Sequence, residues 1–327
     1  METKEDISRV RDYSFPADFI WGTATSSHQV EGGNTFNDWY EFEQIEGNIK
    51  NNDKSGKACN HYELYEADFD LAKSMCNNAH RFSIEWSRVE PEAGRFNQKE
   101  IDHYSRVLDA LNTRGLAPFV TLHHFTSPKW FTDMGGFLNK DSINFFVRYV
   151  GKIARSFGNR VSRWMTFNEP QVLIVNGYWR GTFPPGHTNF FEVLEATNNV
   201  LEAHAGAYCE IKKTVGDDER VGLVNASTIF YPFRIESRLD TLLTELVDHL
   251  WNGVYLKAVK TGEIELPGQE NRYVPGLKAS ADFLGVNYYH YIKIDARKKQ
   301  PFSDCFSEED RTDMNWPVLI RTLSKDV

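Results

Sequence analysis

A parallel β/α barrel is the fold this sequence predicts, and three observations predict it. Short apolar runs alternate in order with polar loops and long amphipathic helices, the pattern of repeated parallel β/α units. Polar groups concentrate where the apolar runs stop, as they do at the mouth of a barrel built from strand ends. No GxGxxG or Walker turn follows the first run, which argues against a doubly wound nucleotide-binding sheet.

Six strands are expected: Phe19 to Thr25, Ala79 to Trp86, Ala117 to His124, Val161 to Glu169, Val221 to Ser227 and Asp282 to Tyr289. Between them, Asn60 with Glu63 and Asn97 with Glu100 have capping-box spacing and open two helices. The second of these places Ile101, Tyr104, Leu108 and Leu111 on one face, and Gly115 follows as a left-handed C′ residue. Two longer helices are expected over Asn189 to Thr214 and Glu236 to Lys260. With no low-complexity linker, residues 1–327 read as one domain.

Composition narrows the function classes. At 41% hydrophobic and 25% charged, the chain is an ordinary globular one with a large core. A net charge of −9 repels a phosphate backbone and no basic run is long enough for a nucleic-acid face, so nucleic acid is excluded as a partner. No apolar stretch approaches the roughly 18 residues of a membrane span, and residues 1–12 lack the apolar region of a signal peptide. Cys59, Cys76, Cys209 and Cys305 show no zinc spacing and imply no disulfide framework; the expected location is cytoplasmic. The 8 Trp, 14 Tyr and 23 Phe make the chain rich in rings that could wall a sugar cleft or simply pack a core.

The strand ends carry the chemistry. Strand one ends near Ser26, Ser27, His28 and Gln29; strand two carries Arg81 and Glu85; strand three ends in His123 and His124. Strand four ends in Asn168 and Glu169, where Pro170 stops the ladder, and strand six ends in Asn287, Tyr288 and Tyr289. A carboxyl held at a barrel mouth by a rigid strand is a candidate general acid, although a strand-end Glu taken alone is more often a solvated surface residue. The adjacent His123 and His124 lack further ligands at metal-binding spacing, so a sugar-contacting histidine is a better reading here than a metal site. Glu85 reads as a hydrogen-bonding group inside the barrel.

Five stretches in order resemble the family 1 glycoside hydrolases: FPADFIWGTATSSHQVEG from Phe15, HRFSIEWSR from His80, VTLHHF from Val120, TFNEP from Thr166 and DFLGVNYY from Asp282. The resemblance runs from about Tyr13 to Trp316. It implies a (β/α)8 TIM barrel of which six of eight strands are present, and a retaining β-glycosidase, β-glucosidase-like, working by double displacement without metal or organic cofactor. The partner implied is a small-molecule β-glycoside or oligosaccharide.

By the same resemblance Glu169 is the acid/base carboxyl, and Asn168 holds the sugar 2-hydroxyl. Gln29 and His124 bind the non-reducing-end sugar, Arg81 and Tyr289 orient the nucleophile, and Asn287 is their neighbour. The family's nucleophile belongs to a TENG-like stretch on strand seven, and no such stretch occurs here, so strands seven and eight are expected to be absent. The acidic run Glu308, Glu309, Asp310 reads as a solvated loop rather than a substitute. Phe125 and Thr126 stand where the family more often has Trp and Asp, and Gln171 where some members carry an aromatic aglycone platform.

Three consequences are expected from missing strands. Strands one and six lose a neighbour, and such edges invite association with a second copy or another chain. Arg81 falls back on Glu85, Tyr289 or water, and Glu169 titrates lower than in a complete enzyme because its like-charge neighbour is gone. A non-catalytic sugar-binding or regulatory relative and half of a split or swapped assembly are the alternative readings.

Overall fold

The computed structural model describes residues 14–298 and the backbone of the two-residue strand Phe302–Ser303. Six strands lie side by side in chain order and all run parallel: β1 (Gly22–Ala24), β2 (Ala79–Ser83), β3 (Ala117–His123), β4 (Arg163–Asn168), β5 (Val221–Pro232) and β6 (Phe283–Ile294). This is the expected order, curled into an incomplete barrel.

The inner strands read as predicted because they are buried on both faces. In β3 and β4, Val120, Leu122, Trp164 and Phe167 are 1% exposed or less. β1 is shorter than the expected Phe19 to Thr25. Its apolar start instead forms a ring cluster, with Phe15, Phe19 and Trp21 at centroid distances of 4.5 to 4.8 Å. β5 and β6 run past their expected ends, pairing with each other as far as Pro232 and Ile294.

The helices cover the outside of the sheet. α1 (His61–Ser74) and α2 (Gln98–Thr113) open at Asn60 and Asn97 as expected, but the capping differs. Asn60 sits in the left-handed region at φ 56° with no side-chain cap, whereas Asn97 accepts a hydrogen bond from the Lys99 backbone N–H. Glu100 does not complete a capping box; it accepts from the Tyr62 hydroxyl. The predicted apolar face of α2 is buried throughout, and Gly115 follows with φ +64°.

α3 (Ser142–Phe157) and α4 (Phe190–Val215) pack on each other across β4. The helix expected over Glu236 to Lys260 is divided into Arg238–Asp248 and Val254–Thr261 by a π turn at His249–Gly253. The reason is visible in its side chains. Trp251 Nε1 donates to the Ala226 carbonyl at 2.6 Å and Asn252 Nδ2 to the Thr228 carbonyl at 2.7 Å, so the widened turn aims both at the far half of β5.

The main core lies between sheet and helices and includes Trp86, whose ring lies 4.9 Å from Tyr149 and from Phe131; a smaller cluster of Phe230, Val247 and Ile294 packs the far ends of β5 and β6. Behind β4, His204 of α4 bonds Thr166 at 2.7 Å and Ser280 at 3.1 Å, and burial holds its ring neutral with a pKa near 4. This ties the strand that carries the candidate acid to the segment that leads into β6.

Among the described residues the barrel sheet has two edges. Among the described residues β1 has a strand partner on one side only, and β6 is covered on its outer edge just where Lys293 and Ile294 pair with Phe302–Ser303. The expectation of an unpaired sixth strand is corrected at Lys293 and Ile294, which have a partner strand. On β6, Leu284 is 45% and Val286 57% exposed. No helix among the described residues is long and apolar enough to cross a membrane, and Cys59, Cys76 and Cys209 carry no disulfide. Cys305 and the acidic run Glu308 to Asp310 lie outside the described residues.

Candidate active site

The end of β4 sets the site. Phe167 and Trp164 bury the strand, and Pro170 at the first turn of the helix Pro170–Ile174 forces the chain to change direction at Glu169. Glu169 takes the left-handed conformation, φ 47° and ψ 61°, which costs a non-glycine residue on the order of 1–2 kcal/mol. Neighbours hold it there. Its N–H donates to the Val224 carbonyl of β5 at 2.7 Å, and its carbonyl accepts from the N–H groups of Val172 and Leu173.

Three predicted residues meet around it. Asn287 Nδ2 donates to Glu169 Oε1 at 2.6 Å and lies 3.3 Å from Asn168 Oδ1. Arg81 Nη2 donates to Asn168 Oδ1 at 2.6 Å, and Arg81 Nε to the Thr121 hydroxyl at 3.0 Å. Both donors to Asn168 land on Oδ1, which fixes the amide and leaves Nδ2 as the group a ligand hydroxyl can meet. Arg81 leans on Thr121 and Asn168, and Glu85, one of its expected supports, is engaged elsewhere. Thr121 was missed in the sequence because a threonine inside a strand gives no signal beyond β propensity.

Electrostatics favour a protonated acid. Burial raises the Glu169 pKa above the ordinary carboxyl value, while the Asn287 bond and the Arg81 charge pull it down without cancelling that rise. Among the described residues Arg81 is the one charged group acting on it. Tyr289 is brought into the same field: burial first, then the Glu169 charge, raise its pKa.

His124 stands at the next strand end. Burial, with Arg81 and His123 adding positive charge, keeps its ring neutral well below the usual histidine range. Its Nδ1 is buried and, among the described residues, unbonded. Gln29 is exposed on the short helix Ser27–Val30, and its Oε1 accepts from Ser26 Oγ at 2.7 Å; among the described residues no bond joins it to the Glu169 cluster. Gln171 is 1% exposed and bonds Asn225 at 2.9 Å, so it packs the barrel wall and offers no platform to a ligand.

An aromatic rim was missed by the sequence reading. Trp39 and Phe183 lie 4.8 Å apart, Phe125 is 5.5 Å from Phe183, and Trp39 Nε1 donates to the Phe125 carbonyl at 3.2 Å. Rings as far apart in sequence as Trp39 and Phe183 carry no local mark that they converge. Among the described residues no group of three or more His, Cys, Asp or Glu could hold a metal ion.

A family model for "Glycosyl hydrolase family 1" matches residues 11–318. The chain belongs to glycosyl hydrolase family 1. Beta-glucosidase A of Thermotoga maritima is 33% identical over 327 residues, an alignment covering 93% of this chain and 72% of that protein. Beta-glucosidase A of Acetivibrio thermocellus is 32% identical, with 93% and 73% covered. Among solved structures, a beta-glycosidase from Pyrococcus horikoshii superposes with a TM-score of 0.83 at 39% identity, covering 93% of this chain and 70% of that one. The Thermotoga maritima beta-glucosidase in complex with deoxynojirimycin gives a TM-score of 0.85 at 31% identity, covering 93% and 73%. The family 1 chain described here is thus an O-glycosyl hydrolase on a TIM-barrel frame, of which six parallel strands are described.

Proposed function

We propose that this family 1 protein hydrolyses terminal β-linked glucosides with retention, using Glu169 as acid/base. The observation that carries the reading is the Asn287–Glu169–Asn168–Arg81 cluster at the barrel mouth. It supplies a buried carboxyl with a raised pKa beside an amide oriented for a hydroxyl.

In the first step Glu169, protonated, gives its proton to the leaving oxygen as a carboxylate attacks the anomeric carbon; in the second it takes a proton from the water that frees the sugar. The attacking carboxylate, which retaining enzymes hold about 5 to 5.5 Å from the acid, comes from outside the described residues. Arg81 and Tyr289 orient it, and Asn168 Nδ2 donates to the 2-hydroxyl.

Gln29 and His124 bind the glycone. A neutral imidazole and a primary amide each present donor and acceptor to neighbouring hydroxyls, which a charged ring could not do. Deoxynojirimycin, bound by the Thermotoga maritima relative, is the probe. Gln29→Ala and His124→Ala are each expected to weaken its binding about 10-fold, the loss of a side-chain hydrogen bond inside a site. Isothermal titration checks this, and affinities within twofold of the unaltered chain would remove both residues from the sugar site.

The six described strands, joined in one sheet, serve as a single catalytic domain, and the unpaired cysteines suit the cytoplasm. Self-association runs through the open barrel edges, where Leu284 and Val286 project from β6 and Ile20 and Trp21 flank β1. Val286→Lys is expected to shift sedimentation toward monomer at tens of micromolar protein; an unchanged distribution would reject the edge as the contact.

A further inference from the structure

A fully enclosed carboxyl group near the site is one that the reaction does not use. Glu85 is 0% exposed, and among the described residues no cation lies within ion-pair distance of it. Burying a carboxyl group is expensive unless its oxygens are hydrogen-bonded. Four side chains meet them. Ser27 Oγ donates to Oε2 at 2.7 Å and Thr126 Oγ1 at 2.9 Å, while Ser87 Oγ donates to Oε1 at 2.6 Å and Asn37 Nδ2 at 3.3 Å.

Two of those donors belong to the segments proposed to bind the sugar. Ser27 opens the short helix that carries Gln29. Thr126 lies two residues past His124, and the residue between them, Phe125, has φ +69°, a conformation a bulky side chain does not choose unaided. The turn is pinned on both sides, by Thr126 on Glu85 and by Trp39 Nε1 on the Phe125 carbonyl. Asn37 closes the circuit: its Nδ2 reaches both Glu85 and His28 Nδ1, the latter at 3.0 Å.

We propose that Glu85 is a positioning residue for the glycone pocket, holding the Ser27–Gln29 segment and the His124–Thr126 turn at the spacing a sugar ring requires. The inference rests on the reading that Gln29 and His124 bind the sugar. Glu85 itself touches no substrate and acts through its donors. A scaffold role alone would not need a carboxyl group with four donors at this point, since an apolar side chain fills a buried volume at lower cost.

The test uses the full chain and cuts the tether without touching Glu85. Thr126→Val removes the hydroxyl at nearly constant volume. It is expected to weaken deoxynojirimycin binding about 5- to 20-fold in the otherwise unaltered chain, and less than twofold in a His124→Ala background, because residues acting through one another are not additive. Equal losses in the two backgrounds, or no loss in the first, overturn the proposal.

A second readout needs no ligand. In the unbound chain the ring ¹H–¹³C signal of His124, assigned with His124→Asn, is expected to move in Thr126→Val and in Glu85→Gln. An unmoved signal overturns the role of Glu85 whether or not the chain binds iminosugars. A moved signal in a chain that does not bind deoxynojirimycin overturns the glycone reading on which the proposal rests.

Discussion

Replacing Glu169 with Gln lowers kcat/KM for p-nitrophenyl β-D-glucoside by about 10²- to 10⁴-fold, the usual worth of a positioned general acid/base. The substitution keeps the volume and the bond that Glu169 Oε1 accepts from Asn287, so the fold should survive it. What it removes is the proton. Because burial raises the Glu169 pKa, the acid form persists above the ordinary carboxyl range, and activity falls only as pH rises through the raised value. That alkaline limb is the acid/base signature and should vanish in the variant. A folded Glu169→Gln chain with unaltered kinetics would place the acid elsewhere.

The second large effect is expected from Arg81→Met. Arg81 donates to Asn168 Oδ1 at 2.6 Å and is the one charged group, among the described residues, acting on Glu169. Removing it frees the amide that faces the sugar and strips away an influence that lowers the Glu169 pKa. Loss of a charge-assisted hydrogen bond of this kind is worth about 1.5–3 kcal/mol, so kcat/KM should drop roughly 10- to 100-fold. The sign of the pH effect follows directly. With the cation gone the carboxyl holds its proton more firmly, and the alkaline limb moves to higher pH. A pH–rate profile checks it; movement to lower pH would show that Arg81 does not act on Glu169 through its charge.

Strands and helices were legible in the sequence wherever burial alone decides structure. Trp164, Phe167, Val120 and Leu122 mark strands buried on two faces, and Ile101, Tyr104, Leu108 and Leu111 mark one face of a helix; the structure buries all eight. The misreadings arose where side chains bond to backbone far away in sequence. The π turn at His249–Gly253 exists because Trp251 and Asn252 reach Ala226 and Thr228, and no periodicity announces that.

The site was legible in its residue types and their positions at strand ends, but not in its connections. That Asn168 would be oriented by Arg81 and Asn287 together, that Arg81 would turn to Thr121 rather than Glu85, and that Trp39 would meet Phe183 are properties of strands already assembled. The pKa of Glu169 shows the same division. The sequence supported an argument about a missing neighbouring charge, whereas the largest influence in the folded chain is burial by the barrel wall.

The pH–rate profile for hydrolysis of p-nitrophenyl β-D-glucoside, recorded for the full chain beside its Glu169→Gln variant, tests the central claim most directly. The result predicted is turnover with an alkaline limb above the usual carboxyl range, and a variant slowed at least about 100-fold that has lost that limb. A variant that keeps both the rate and the limb, or a folded chain that shows neither turnover nor iminosugar binding, would contradict it.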